Sequence, residues 1–133
     1  MKALSLMEPW AALIAAGVKS IETRSWRTAY RGPLYIHASR AKVDQKDPHI
    51  QRLLSLLPEG SLHPGFVVCR CVLKDCLPID KSFLDWIEAH PLEKLCGEYA
   101  PGRFAWVLEQ MEPLEAPVAA KGYLSLWEWE PSP

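Results

Sequence analysis

The sequence predicts an α+β domain, a small mixed barrel or strongly curved sheet of about six strands with helices packed beside it. Three observations lead there. About six short segments carry strand patterning, and the helical segments between them lack the regular alternation that builds a doubly wound parallel sheet. Twelve prolines, most of them standing singly between those segments, act as turn and strand-end punctuation, because proline fixes φ and carries no N–H. The 133 residues suit a single domain over 1–133, since chains of about 100 to 150 residues bury enough apolar surface to fold unaided.

Taken in order, "KALSL" (2–6) reads as a first strand. A helix follows, opened by Glu8 and Pro9 and closed by Gly17: negative charge and proline suit a helix start, and glycine suits the residue past its end. Trp10, Leu13, Ile14 and Val18 fall at helical spacing, which gives this helix a core-packing role. The spacing predicts a second strand over Val18 to Trp26, a turn at Arg31-Gly32-Pro33 and a third strand over Leu34 to Ser39. Ile50, Leu53, Leu54 and Leu57 make Asp44 to Leu57 an amphipathic helix, ended by Pro58-Glu59-Gly60. "GFVVCRCVLKDC" (65–76) is apolar on both faces, as a covered central strand would be. Short helices over Ser82 to Ala89 and Leu92 to Cys96 flank Pro91; "GRFAWVLEQMEPL" (102–114) and "YLSLWEWE" (123–130) return to strand, and the tail "EPSP" is expected to fray.

The longest apolar run, Pro9 to Val18, covers ten residues. A membrane span needs about 18, so none is expected, and with no basic-then-apolar leader pattern a cytoplasmic protein is the expectation. The four cysteines then read as reduced thiols. Cys69, Cys71 and Cys76 place three sulfurs close together, but C-x-C-x4-C lacks the paired C-x2-C knuckles of common zinc sites, so burial is expected and no metal. No cofactor motif is present: there is no glycine-rich phosphate loop, no G-x-G-x-x-G turn, no H-E-x-x-H helix and no G-x-S-x-G elbow. His37 and Ser39 share a strand face, yet no carboxylate partner for a triad can be identified.

The net charge of −1 hides an asymmetry. Residues 1–42 carry seven Lys and Arg against two acids, +5, and the remainder is −6. A basic segment of this kind either forms a patch for phosphate or nucleic acid or pairs with the acidic remainder of the same chain. Within it, "GVKSIETRSW" (17–26) places Glu22 and Arg24 on one strand face, with Ile21 pointing into the core. An arginine beside a carboxylate orients it and holds it ionised. Lys19 has the wrong parity for that face, but a turn or bulge after Gly17 would aim its ammonium into the same cleft. Such a trio is either a cross-strand ion-pair network or a site offering a proton-transfer carboxylate and two cations.

The residues "GVKSIETR" resemble the G-x-K-x-x-E-x-R signature of ASCH domains, named for activating signal cointegrator homology and related to PUA-like barrels. "SLMEPWAALIAAGVKSIETRSWRTAYRGPLYIHASR" (5–40) resembles the N-terminal half of that family, and "YAPGRFAWVLE" (99–109) its C-terminal strand. The resemblance implies a PUA-like β-barrel with a cleft near the helix-to-strand turn, lined by Lys19, Glu22 and Arg24, with Trp10, Trp26, Ser39, Tyr99 and Arg103 as further members. It implies RNA, single-stranded nucleic acid or a modified nucleoside as partner. Arg27, Arg31 and Arg40 are added as phosphate contacts, and Trp10 or Trp26 is available either to stack a base or to pack in the core. Some ASCH proteins are hydrolases of N4-acylated cytidine or ribonucleases. In the amidohydrolases a threonine nucleophile stands where this chain has Glu22, so here hydrolysis would use a water activated by Glu22 beside Lys19, with Glu98 as candidate downstream acid. A third reading is an adaptor whose cleft is vestigial.

Overall fold

The computed structural model describes residues 1–131; Ser132 and Pro133 of the "EPSP" tail lie outside the described residues. Six strands form one curled, half-barrel sheet with four short helices against it: β1 (Lys2–Leu6), α1 (Trp10–Ala15), β2 (Ile21–Arg24), β3 (Gly32–Ala38), α2 (Pro48–Leu54), β4 (Phe66–Pro78), α3 (Lys81–Glu88), α4 (Pro91–Leu95), β5 (Phe104–Ala119) and β6 (Leu126–Glu128). The strand order is β2-β5-β4-β3-β1-β6. β1 runs parallel to β3 and every other pairing is antiparallel, so the sheet is mixed.

The long β4–β5 hairpin forms the centre, and three register shifts along it add the local twist that curls the sheet. β5 runs through Pro113 and Pro117, which the sequence read as strand ends. The strand survives them because bulging, with Gln110 at φ 51, breaks the regular ladder that a proline would otherwise interrupt. Trp106 is fully buried under the sheet, with Leu34, Ile36, Cys69, Cys71 and Leu73 beside it. Burial pushes the Cys71 thiol up to about 12 and the Cys69 thiol further, so both behave as small hydrophobes.

α1 lays Ala11, Leu13 and Ile14 on the core. Glu8, buried just ahead of it, accepts the Ala12 N–H at 2.8 Å and the His63 N–H at 2.9 Å, anchoring the helix start to the loop before β4. Its carboxyl is raised by burial, against the lowering effect of those two bonds. α2 is shorter than the periodicity indicates. Asp47 caps it through the His49 and Ile50 N–H groups and Pro48 takes the first position, so residues 44–46 remain outside.

Candidate functional site

The turn between α1 and β2 builds the site floor. Gly17 adopts φ +77, and the N–H groups of Val18 and Lys19 both reach the Leu13 carbonyl, so the chain reverses before the strand begins. β2 therefore starts at Ile21, three residues later than the sequence indicates. From there the two-residue period operates. Ile21 packs with Ile79, Phe83 and Ala105 on one face, while Glu22 and Arg24 project from the other into a cleft of about 710 Å³.

Glu22 Oε2 lies 3.2 Å from Arg24 Nη2, and the same nitrogen donates to the Ser5 carbonyl at 3.0 Å. Lys19 differs from expectation. Its side chain is fully buried beneath the cleft rather than lining it, and its Nζ donates to the carbonyls of Ile21 and Cys96 while lying 3.7 Å from Glu22 Oε1. The turn brings the ammonium to Glu22 from below, and carbonyl acceptors take up its N–H groups.

Arg103 enters the cleft from the start of β5, donating to the Thr23 carbonyl at 3.1 Å with Glu98 at 3.9 Å. Among the described residues, the Nε atoms of Arg24 and Arg103 are buried without an acceptor. Trp10, Trp26 and Ser39 also line the cleft. Trp26 meets Trp106 edge-on at 4.7 Å and is partly buried against the core, so it serves wall and core together. Trp10 does the same against the Leu13 cluster.

The remaining expected residues lie elsewhere. Tyr99 stacks on Phe83 at 5.8 Å, outside the cleft lining, with its hydroxyl buried and unpartnered. Burial, with the Glu93 charge nearby, pushes that phenol far upward. Arg27 lies over Phe104, and Arg31 donates to the Thr28 and Tyr30 carbonyls beside Asp75. Arg40 faces a second cavity of about 650 Å³ that shares Ser5, Ser39, Tyr123 and Leu124 with the first.

His37 and Ser39 do not pair. The parallel register sets His37 beside Ser5 of β1, where Nδ1 lies 2.9 Å from Ser5 Oγ and Nε2 lies 2.8 Å from the Ala120 carbonyl. A carbonyl only accepts, so Nε2 carries the proton and Nδ1 accepts from Ser5, whose oxygen receives the Trp127 indole N–H at 3.1 Å. Burial lowers the His37 pKa, and the Arg40 charge adds to the effect.

Ser5, Thr23, Lys121 and Tyr123 were not among the expected site residues. Ser5 had one signal, a polar side chain in the middle of an apolar strand. Among the described residues, no three His, Cys, Asp or Glu side chains gather as a metal site, and no helix is long and apolar enough to cross a membrane.

The ASCH domain family model matches residues 4–118. The chain belongs to the ASCH domain family. It is 37% identical over 81 residues to human activating signal cointegrator 1 and 36% identical to the mouse protein, with 56% of this chain aligned in each case. Those alignments cover 14% of each relative, so the chain spans a small part of their length. In fold, this ASCH domain resembles the crystal structure of a point mutant of the ZmASCH protein from Zymomonas mobilis, with a TM-score of 0.60 at 14% identity over 97% of this chain and 89% of that one. The curled six-stranded sheet is thus the PUA-like architecture of an ASCH domain.

Proposed function

We propose that the cleft of this ASCH domain binds a nucleoside unit of nucleic acid, in RNA or as a free modified nucleoside. One observation carries the reading: Arg24 and Arg103 bring two guanidiniums, each with a buried Nε–H that lacks an acceptor, into the cleft that holds Glu22 and has tryptophan walls. Guanidiniums suit phosphate or base carbonyls, a carboxylate accepts from an exocyclic amine, and indole offers a face to a base. Lys19 acts from below by holding Glu22 in place. Arg27 and Arg31, directed elsewhere, are not assigned to this ligand.

NMR titration with cytidine, N4-acetylcytidine and a short RNA tests the proposal. Resonances of Glu22, Arg24 and Trp26 should move, and RNA affinity should fall steeply with salt. Arg24→Ala should weaken binding about tenfold or more, as expected on losing a charge-assisted contact. Shifts confined to other surfaces would overturn the assignment.

A hydrolytic reading has one favouring observation, the nearly enclosed Glu22 carboxylate with a buried lysine at 3.7 Å. It requires turnover of N4-acetylcytidine or RNA that Glu22→Gln abolishes while the fold is retained. Equal turnover in that variant removes it.

A further inference from the structure

We infer that the second cavity holds the backbone phosphate next to the nucleoside in the first, so that the ligand of this domain is a single strand of at least two nucleotides rather than a free nucleoside. The inference rests on the reading of the first cleft as a nucleoside site and extends it to a different set of residues.

Three observations support it. The two cavities are continuous in their walls, with Ser5 and Ser39 from the sheet and Tyr123 and Leu124 from the segment before β6 belonging to both. Their electrostatics differ in kind. The first mixes Glu22 and Glu98 with two arginines, whereas the second is lined by Arg40 and Lys121 with no carboxylate. Among the described residues neither cation has an acidic partner within 4.0 Å. His37, also on this wall, is neutral in its hydrogen-bonding pattern and supplies no counter-charge. Two unpaired cations without an acid bind anions and do not discriminate among bases, which is the division of labour between phosphate and base contacts in nucleic-acid recognition.

The third observation is the ridge between the cavities. Tyr123 is 56% exposed and Leu124 is 93% exposed. Lys121 lies 5.5 Å over the Tyr123 ring, and the ring meets Trp127 edge-on at 5.5 Å. An exposed aromatic braced from below beside a cation suits a base leaving the first cleft, since stacking tolerates any base. Arg40 is held ready on the other side: Gly65, at φ +87, brings its backbone so close that a Cβ there would fall 2.6 Å from Arg40 Nε.

The test compares cytidine with pentanucleotides of RNA and of DNA, by calorimetry at several salt concentrations, on the native chain and on the Arg40→Ala/Lys121→Ala double variant. Both positions are exposed, so the variant should melt like the parent. The native domain should bind a pentanucleotide more tightly than cytidine. The double variant should lose about tenfold or more in pentanucleotide affinity and shed about 0.7 to 1.4 from the slope of log K against log salt, the value for one or two released single-strand phosphates. Its cytidine affinity should not change. The two pentanucleotides distinguish RNA from DNA as the source of the phosphate. Undiminished pentanucleotide affinity in the double variant overturns the second subsite and leaves the first cleft's reading standing, as does equal loss for cytidine and pentanucleotide. No binding of any of the ligands overturns both.

Discussion

The two cavities share four residues and yet use their positive charge in opposite ways. Beneath the first, Lys19 is fully buried and committed to the Ile21 and Cys96 carbonyls and to Glu22. Beside the second, Arg40 and Lys121 are exposed and paired with no acid among the described residues. A desolvated charge is worth having only when protein groups replace its water, and once they do, little remains for a ligand. A solvated charge contributes little to folding and keeps its capacity to bind. On the proposed function, the signature lysine maintains the site's shape and recognition falls to side chains less deeply buried.

The sharpest way to break that contrast is to remove one cation of each kind. Lys19→Met keeps the apolar stem but strips the donor from two carbonyls and the buried cation from Glu22. It should cost about 3 to 5 kcal/mol in urea denaturation, as for removing one partner of a buried pair. Arg40→Ala should change stability by less than about 0.5 kcal/mol. Comparable losses from the two would mean that Lys19 is not structurally committed.

Much of this arrangement was legible in the sequence where local rules suffice. β1 falls at Lys2–Leu6 as read, and α3 and α4 lie within one residue of their expected bounds. Glu22 and Arg24 share a face because a strand's period is two, and nothing distant can alter that. Other features required long-range information. Lys19 was expected to line the cleft, and only the docking of the Cys96 carbonyl, 77 residues away, determines that it is sealed beneath. Arg27 and Arg31 were grouped with the phosphate contacts because they lie in the basic segment. Phe104 and Asp75, on β5 and β4, draw them elsewhere. Lys121 and Tyr123 reach the cavities because β6 pairs with β1 and Ala120 meets His37, contacts that no local window of sequence contains.

A smaller effect probes the wall between the cavities. A Cβ on Gly122 would fall 2.6 Å from Ser5 Oγ and 2.7 Å from His37 Cε1, so Gly122→Ala must displace the segment or the imidazole. Overpacking of this kind costs about 1 to 3 kcal/mol. If the shared wall matters to the ligand, the variant should also weaken pentanucleotide binding more than cytidine binding. A thermal shift with unchanged pentanucleotide affinity would separate the wall from recognition.

The smallest effect concerns the proton on His37. In the folded chain Nε2 donates to Ala120 and Nδ1 accepts from Ser5, so the neutral ring satisfies both neighbours, and burial lowers its pKa. A depressed pKa contributes stability that is complete above the unfolded value of about 6.5 and is lost as pH falls from there through the folded value. Glu8, raised by burial, has the opposite sign: its contribution is complete below the unfolded carboxyl value of about 4.3 and is lost as pH rises through its folded value. The His37 effect is therefore read as a difference, native chain against His37→Gln, because Glu8 is common to both. The native chain should lose stability relative to the variant as pH drops below about 6.5, the unfolded imidazole value. Parallel stability curves for the two proteins would mean that His37 holds the Ala120 segment by shape alone and that its charge state does not govern the wall between the two cavities.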